Sequence, residues 1–390
     1  MVKENTMKQT EIGLLPEDWD VKKISQISQI RTGGKNTQDK IENGLYPFIV
    51  RSQTVERINS YSFDGEAILT AGDGVGVGKV FHYLNGKFDY HQRVYSISNF
   101  DKNVSGFYFF KYFQNNFYYR IMQMTAKSSV DSVRMETIAD MQIPLPPLPE
   151  QEAIAKVLSD ADAWIESLEQ LIAKKRLIKQ GAMQELLSPK EDWEEYDFKN
   201  VVWFQEGPGL RNWQFTKQGM KVINVTNLEN GYLNLAKTTR HISIEEFEKM
   251  YKHFEIDEDD IVVASSGNSY GKVSVVRKQD LPLVMNTSVI RFKPSAKIGY
   301  NYLLIFLKSY LFKDQIDLLI TGGAQPNFGP AHLNKIKIIS PNSLTEQTRI
   351  ATILSDMDAE LEALEGQLGK ARKVKQGMMQ ELLMGRVRLV

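Results

Sequence analysis

The string most suggestive of chemistry is Ala71-Gly72-Asp73-Gly74-Val75-Gly76-Val77-Gly78-Lys79-Val80. Closely spaced glycines of this kind can let backbone amides approach a phosphate. The spacing fits neither phosphate signature: a Walker loop needs Gly where Asp73 stands and Ser or Thr where Val80 stands, and a GxGxxG register breaks at Val77. A second copy, offset by 193 residues, keeps only Gly267 and Gly271, as a tight turn between paired strands would require. Phe204-Gln205-Glu206-Gly207-Pro208-Gly209 is also glycine-rich, but its proline suits a loop better than a cofactor fingerprint. His82, His91, His241, His253 and His332 show no HExxH or paired-ligand spacing. Zero cysteines exclude thiolate zinc sites and disulfides. Asp20-Val21-Lys22 has a nuclease-like form but no separate carboxylate strand to complete a metal site, so it reads as a surface charge cluster. Together these features point away from catalysis by this chain and imply no metal or cofactor held by it.

The elements around these residues come in duplicate. Residues 150–187 read EQEAIAKVLSDADAWIESLEQLIAKKRLIKQGAMQELL, and residues 346–383, 196 positions later, read EQTRIATILSDMDAELEALEGQLGKARKVKQGMMQELL. A repeat at half the chain length indicates two copies of one design. Apolar residues at alternating steps of four and three form a coiled-coil seam: Ile154, Leu158, Ala161, Ile165, Leu168 and Ile172, then Ile350, Leu354, Met357, Leu361, Leu364 and Leu368. Gly181 and Gly377 are expected to loosen this seam. The first half of each helix carries six acids against one base, and the second half four bases against one acid. Part of this complements the helix macrodipole. Parallel helices would set like charges together, so the polarity favours an antiparallel pair within the chain, with an approximate two-fold axis. A dimerisation coiled coil is the plainer alternative. Pro144, Pro146, Pro147 and Pro149 precede the first helix, and Ser343 with Glu346 has capping-box spacing at the second.

Four segments follow: domains at 1–145 and 188–341, with helical regions at 146–187 and 342–390. The domains share Asp18-Trp19 with Asp192-Trp193, and Gly74, Gly78 and Lys79 with Gly267, Gly271 and Lys272. β-Branched runs at 46–50, 222–225, 261–263 and 272–276 predict strands, and 105–124 and 300–319 predict helices. The fold class is therefore mixed α/β: two homologous globular domains separated by two long helices. The aromatic density at 107–119 is expected to be core. Lysine plus arginine and aspartate plus glutamate are both 48, so net charge does not advertise nucleic-acid binding. The polar first ten residues and the lack of any long apolar run lead to an expectation of cytoplasmic location without membrane association.

Ile143-Pro144-Leu145-Pro146-Pro147-Leu148-Pro149-Glu150-Gln151, followed by Ile154-Ala155, Lys179-Gln180-Gly181 and Gln184-Glu185-Leu186-Leu187, resembles the conserved helical region of type I restriction-modification specificity subunits. Lys375-Gln376-Gly377 and Gln380-Glu381-Leu382-Leu383 supply the C-terminal counterpart, although its entry at 340–347 has lost most of the prolines. The resemblance spans the chain. It implies a non-catalytic reader of double-stranded DNA whose two target recognition domains each bind half of a split asymmetric sequence. It also implies two partner modification subunits that bring S-adenosylmethionine and methylate adenine, and restriction subunits that use ATP and Mg2+. A coiled-coil scaffold joining two protein-binding domains is the alternative.

For a DNA reader, Arg and Lys suit guanine, and Asn and Gln suit adenine. Each domain is only +1 net by sequence, so clustered loops must make the contacts. Candidates in the first domain are Arg31, Lys35, Arg51, Gln53, Lys79, Gln92, Arg93, Lys127 and Ser128. Those in the second are Arg211, Asn212, Asn224, Asn227, Ser266, Asn268, Tyr270, Lys272, Gln325 and Asn327.

Overall fold

The computed structural model describes residues 6–124, 132–237, 240–320 and 326–389. The chain divides into two units, Met1–Gln170 with Glu365–Val390, and Leu171–Leu364. The long helices Leu148–Leu186 and Leu344–Leu382 each contribute one part to each unit. Among the described residues, no helix is long and apolar enough to cross a membrane.

In the first unit, strands β1 (Gln29–Thr32), β2 (Tyr46–Ile49), β3 (Val55–Ile58), β4 (Phe63–Ala71), β5 (Phe81–Tyr90) and β6 (Val94–Ser98) form one sheet. Its order is β1–β6–β4–β5–β2–β3, antiparallel except where β2 runs beside β5. Helix α1 (Gly106–Met124) buries Tyr108, Phe109, Tyr112, Phe113 and Phe117, so the aromatic run is core. Phe81 of β5 meets Phe113 edge to face with centroids 5.6 Å apart, a geometry that aligns the positive ring edge with the negative ring face. Strand Asp20–Lys23 pairs antiparallel with Gln142–Leu145, joining the domain's beginning to its end.

The second unit repeats the plan with a smaller main sheet. Strands β7 (Val202–Glu206), β8 (Ile261–Ala264), β9 (Val273–Val275) and β10 (Val289–Pro294) lie antiparallel in the order β7–β10–β8–β9. A further sheet joins His241–Ile242, Met220–Ile223 and Leu283–Met285, and Trp193–Asp197 pairs with Lys337–Pro341 as the closing strands. The strand expected at 222–225 is shifted to Met220–Ile223, because Val225–Asn227 is a 3-10 turn capped by Asn224. The helix expected across 300–319 is two helices, α2 (Tyr300–Lys308) and α3 (Tyr310–Leu319). Ser309 separates them in extended geometry (φ −84°, ψ 162°), its hydroxyl donating to the Phe306 carbonyl at 2.7 Å. Such a local side-chain bond gives the backbone an alternative to helix.

Within each unit the long helices run antiparallel. In the first, Asp162 pairs with Lys375 and Glu169 with Arg372. In the second, Lys175 pairs with Glu360 and Lys179 with Asp358. In both, residue numbers rise along one helix as they fall along the other.

One expectation about these helices needs correction. The leading seam residues Ile154 and Leu158 join the first domain's core, and Ile350 and Leu354 join the second's. An apolar stripe packs against whichever apolar surface it meets, and here its first turns meet a domain. Farther along, Leu168 and Ile172 are buried, whereas Ala161, Ile165, Met357, Leu361, Leu364 and Leu368 are half-buried. Gly181 and Gly377 do not interrupt the helices. The roughly 1 kcal/mol cost of an interior glycine is offset by flanking apolar packing, with Leu187 buried in the second core and Leu382 and Leu383 in the first.

Candidate nucleic-acid interface

The glycine run of the first domain forms the turn between β4 and β5. Gly74 (φ +75°) and Gly78 (φ +66°) occupy left-handed backbone, which a side chain disfavours. Val77, buried in the core, pins the turn from inside, while Val75 at its tip is 96% exposed.

Around that turn the structure gathers four first-domain candidates. Asp73 accepts from Arg51 Nη1 at 2.8 Å, and Arg93 Nε lies 3.6 Å from its other oxygen. Both guanidiniums keep exposed surface, so the carboxylate orients them without burying their donors. The Lys35 carbonyl accepts from the Gln92 backbone at 2.8 Å, and the Gln92 side chain donates to Asn36 Oδ1 at 2.5 Å. Buried His91 holds the corner, its Nδ1 accepting from the Arg93 amide at 2.9 Å. Burial and the neighbouring Arg51 charge push the His91 pKa below its usual value. A neutral ring can both accept that bond and avoid repelling the arginines.

The other first-domain candidates are more dispersed. Arg31 is exposed on β1 opposite Ser96, and Lys79 is exposed after the turn. Gln53 donates to the Phe81 carbonyl at 3.3 Å. Lys127 and Ser128 lie outside the described residues.

The second domain places its turn between β8 and β9. Gly267 (φ +70°) and Gly271 (φ +80°) occupy the positions of Gly74 and Gly78, and Asn268 is exposed at the tip. Ser266 forms a backbone bridge with exposed Asn327. Lys272 pairs with Glu229 at 3.3 Å. Tyr270 is half-buried and donates to Asp317 at 2.7 Å, with burial the leading cause of its raised pKa. It therefore braces the turn. Arg211 and Asn212 are exposed on a separate loop before Met220–Ile223, beside Trp213, which is 81% exposed. Gln325 lies outside the described residues.

Asn224 and Asn227 depart from the expected outward role. Both are buried: Asn224 Oδ1 accepts from the Thr226 amide, and Asn227 bonds the Asn224 amide and the Asn234 carbonyl. Asparagine readily makes such local bonds, so these two side chains shape a turn rather than face a base.

Sequence reasoning missed Asp73 and His91 as organisers, and missed a matched pair of glutamines in the first turns of the long helices. Gln151 accepts from the Ser105 amide at 2.9 Å and donates to the Asn103 and Pro146 carbonyls. Gln347 accepts from the Gly299 amide at 2.7 Å and donates to the Lys297 and Pro341 carbonyls. Each ties its helix to the start of the domain's own helix and to the end of its closing strand. The signal was present in the Glu-Gln that opens both copies of the repeat. Glu150 is likewise buried, held by Arg388 at 2.7 Å and Trp19 at 3.2 Å.

Comparison with known proteins finds the same duplication. The family model described as the type I restriction modification DNA specificity domain matches twice, at residues 16–175 and 190–370. The MjaVIII type I restriction enzyme specificity subunit of Methanocaldococcus jannaschii is 27% identical over 418 aligned positions, covering 99% of this chain and 97% of that one. The EcoDI specificity subunit of Escherichia coli is 30% identical over 155 positions, covering 40% of this chain and 34% of its own. A solved type I restriction-modification S subunit from M. genitalium shares the fold, with TM-score 0.64 at 18% identity, covering 93% of this chain and 96% of that chain.

Proposed function

This chain belongs to the type I restriction modification DNA specificity family, and from that premise we propose how its two halves divide the work. It is a DNA sequence-specificity subunit. Each recognition domain reads one half of a bipartite asymmetric site in double-stranded DNA, and the paired helices set the separation of the halves. Unlike side chains on like backbones allow the halves to differ in sequence. The observation that carries this reading is the double family match, one to each half of the chain.

Catalysis belongs to partners in this reading. Two modification subunits dock on the helical regions and bring S-adenosylmethionine for adenine methylation, while restriction subunits bring ATP and Mg2+. The assembly works in the cytoplasm. A neighbouring solved structure, TM-score 0.55 at 11% identity, concerns complex assembly of a type I R-M system, and the membership of both domains in a DNA specificity family favours this reading over a protein-binding scaffold. The test is to express the chain with its modification subunits and sequence the host's methylated adenines. A split asymmetric motif that disappears when this chain is omitted is expected. Methylation that is independent of the chain, or a single undivided motif, would overturn the proposal.

A further inference from the structure

A lone exposed valine needs no explanation, but Val75 has a structural counterpart. The turns after β4 and β8 share more than their glycines. In the first, the Val133 amide donates to the Gly72 carbonyl at 2.8 Å and Asp73 bridges Ser132; in the second, the Phe328 amide donates to the Ser265 carbonyl at 3.0 Å and Ser266 bridges Asn327. Two strands, two left-handed glycines and one bridging segment therefore fix the same backbone frame in both domains. The inward residues Val77 and Tyr270 brace it. What differs is the outward tip: an aliphatic Val75, 96% exposed, in one and an exposed amide, Asn268, in the other.

We infer that this turn is the base-reading turn of each domain, with Val75 packing on a thymine methyl and Asn268 hydrogen-bonding an adenine edge, each in its own half-site. The inference rests on the chain's reading of DNA and deepens it to two residues. The chemistry follows from the groove: an apolar side chain meets the thymine 5-methyl, whereas a carboxamide can bond adenine N6 and N7 together. Arg51 and Arg93, oriented by Asp73 beside the first tip, supply the cationic contacts that hold the turn against the duplex. A rigid frame with a variable tip also lets two related domains read different bases without changing their folds.

The experiment uses the full chain co-expressed with its modification subunits, with methylated adenines sequenced for the wild type, Val75→Ala, Val75→Thr, Val75→Asn and Asn268→Ala. Val75→Ala and Val75→Asn should change the preference at one T·A position of one half by about threefold to fivefold, the worth of roughly one methyl contact. Val75→Thr retains a methyl and should keep that preference. Asn268→Ala should relax one adenine position in the other half by about 5- to 150-fold. Preferences unchanged at every position, or an equal fall at both halves, would overturn the turn assignment while leaving a split motif in the wild type. Absence of a split motif in the wild type would overturn the DNA-reading premise and this assignment with it.

Discussion

Asp73 illustrates how a residue with the wrong charge for DNA could serve the proposed DNA-reading surface. It holds Arg51 and Arg93 in one place, so less side-chain freedom remains to be lost when they meet a phosphate or a guanine. Replacing Arg93 with Ala should weaken or relax recognition of one half-site by about 1–3 kcal/mol and leave the other intact, as measured by binding of the assembled complex to duplexes altered in one half at a time. Equal losses at both halves would contradict two independent readers. Sequence chemistry named Arg51, Gln92 and Arg93 because their donors suit bases, but it could not see Asp73 between the two arginines, since those contacts join separate segments of the chain. For Gln151, removal of a buried side chain that makes three hydrogen bonds has a direct structural cost. Gln151→Leu should lower stability by about 1–3 kcal/mol through the partners left unsatisfied, seen as a lower thermal midpoint. An unchanged midpoint would show that the clamp is dispensable.

The long helices were legible because their information is local. Heptad spacing, the charge reversal and the Ser343 cap all lie within a few turns, and the Glu346 amide does meet the Ser343 hydroxyl at 3.4 Å. The fate of the leading seam residues was not legible, because the same spacing serves a partner helix and a domain core. Gly181 offers an element-scale test: an added Cβ there would meet nothing within 4 Å. Gly181→Ala should stabilise the helix by about 0.5–1 kcal/mol, measured by chemical denaturation, and a destabilised variant would argue for a required bend. The ion pairs between the helices add a dependence on acidity. Burial pushes the Asp162 carboxyl up, but hydrogen bonds from Lys111 and Lys375 outweigh it and hold its pKa below the ordinary value. A carboxylate with a depressed folded pKa contributes stability above its unfolded pKa of about 4 and loses that contribution as pH falls through the folded value. Thermal midpoints should therefore drop below about pH 4, and Asp162→Asn should flatten that limb while lowering stability at neutral pH. An acid limb unchanged by the substitution would assign it to other carboxylates.

At the scale of the whole molecule, chain segments far apart in sequence complete each unit. Arg388 reaches Glu150 and Asp18, both at distances of 2.7–2.9 Å, and the Arg388 hydrogen bond leads the causes that hold Asp18 below the ordinary carboxylate value. Arg388→Ala would leave the buried Glu150 carboxylate without its cation and should destabilise the protein by about 3–5 kcal/mol, a loss that a shift of the denaturation midpoint would register. A second whole-chain test removes one heptad from a single long helix. This should alter the permitted separation of half-sites or prevent assembly, and methylome motifs with an unchanged spacer would reject the helices as a ruler. The duplication could be read from the helical segment written twice, 196 positions apart, and the antiparallel sense of the helices and the mixed fold class from periodicity and charge, because these recur at fixed short spacings along the chain. The inward turn of Asn224 and Asn227, the core destination of Ile154 and Ile350, and the outward presentation of Val75 could not. Which side a residue faces depends on neighbours brought in from distant segments, and those neighbours become adjacent only when the chain has folded.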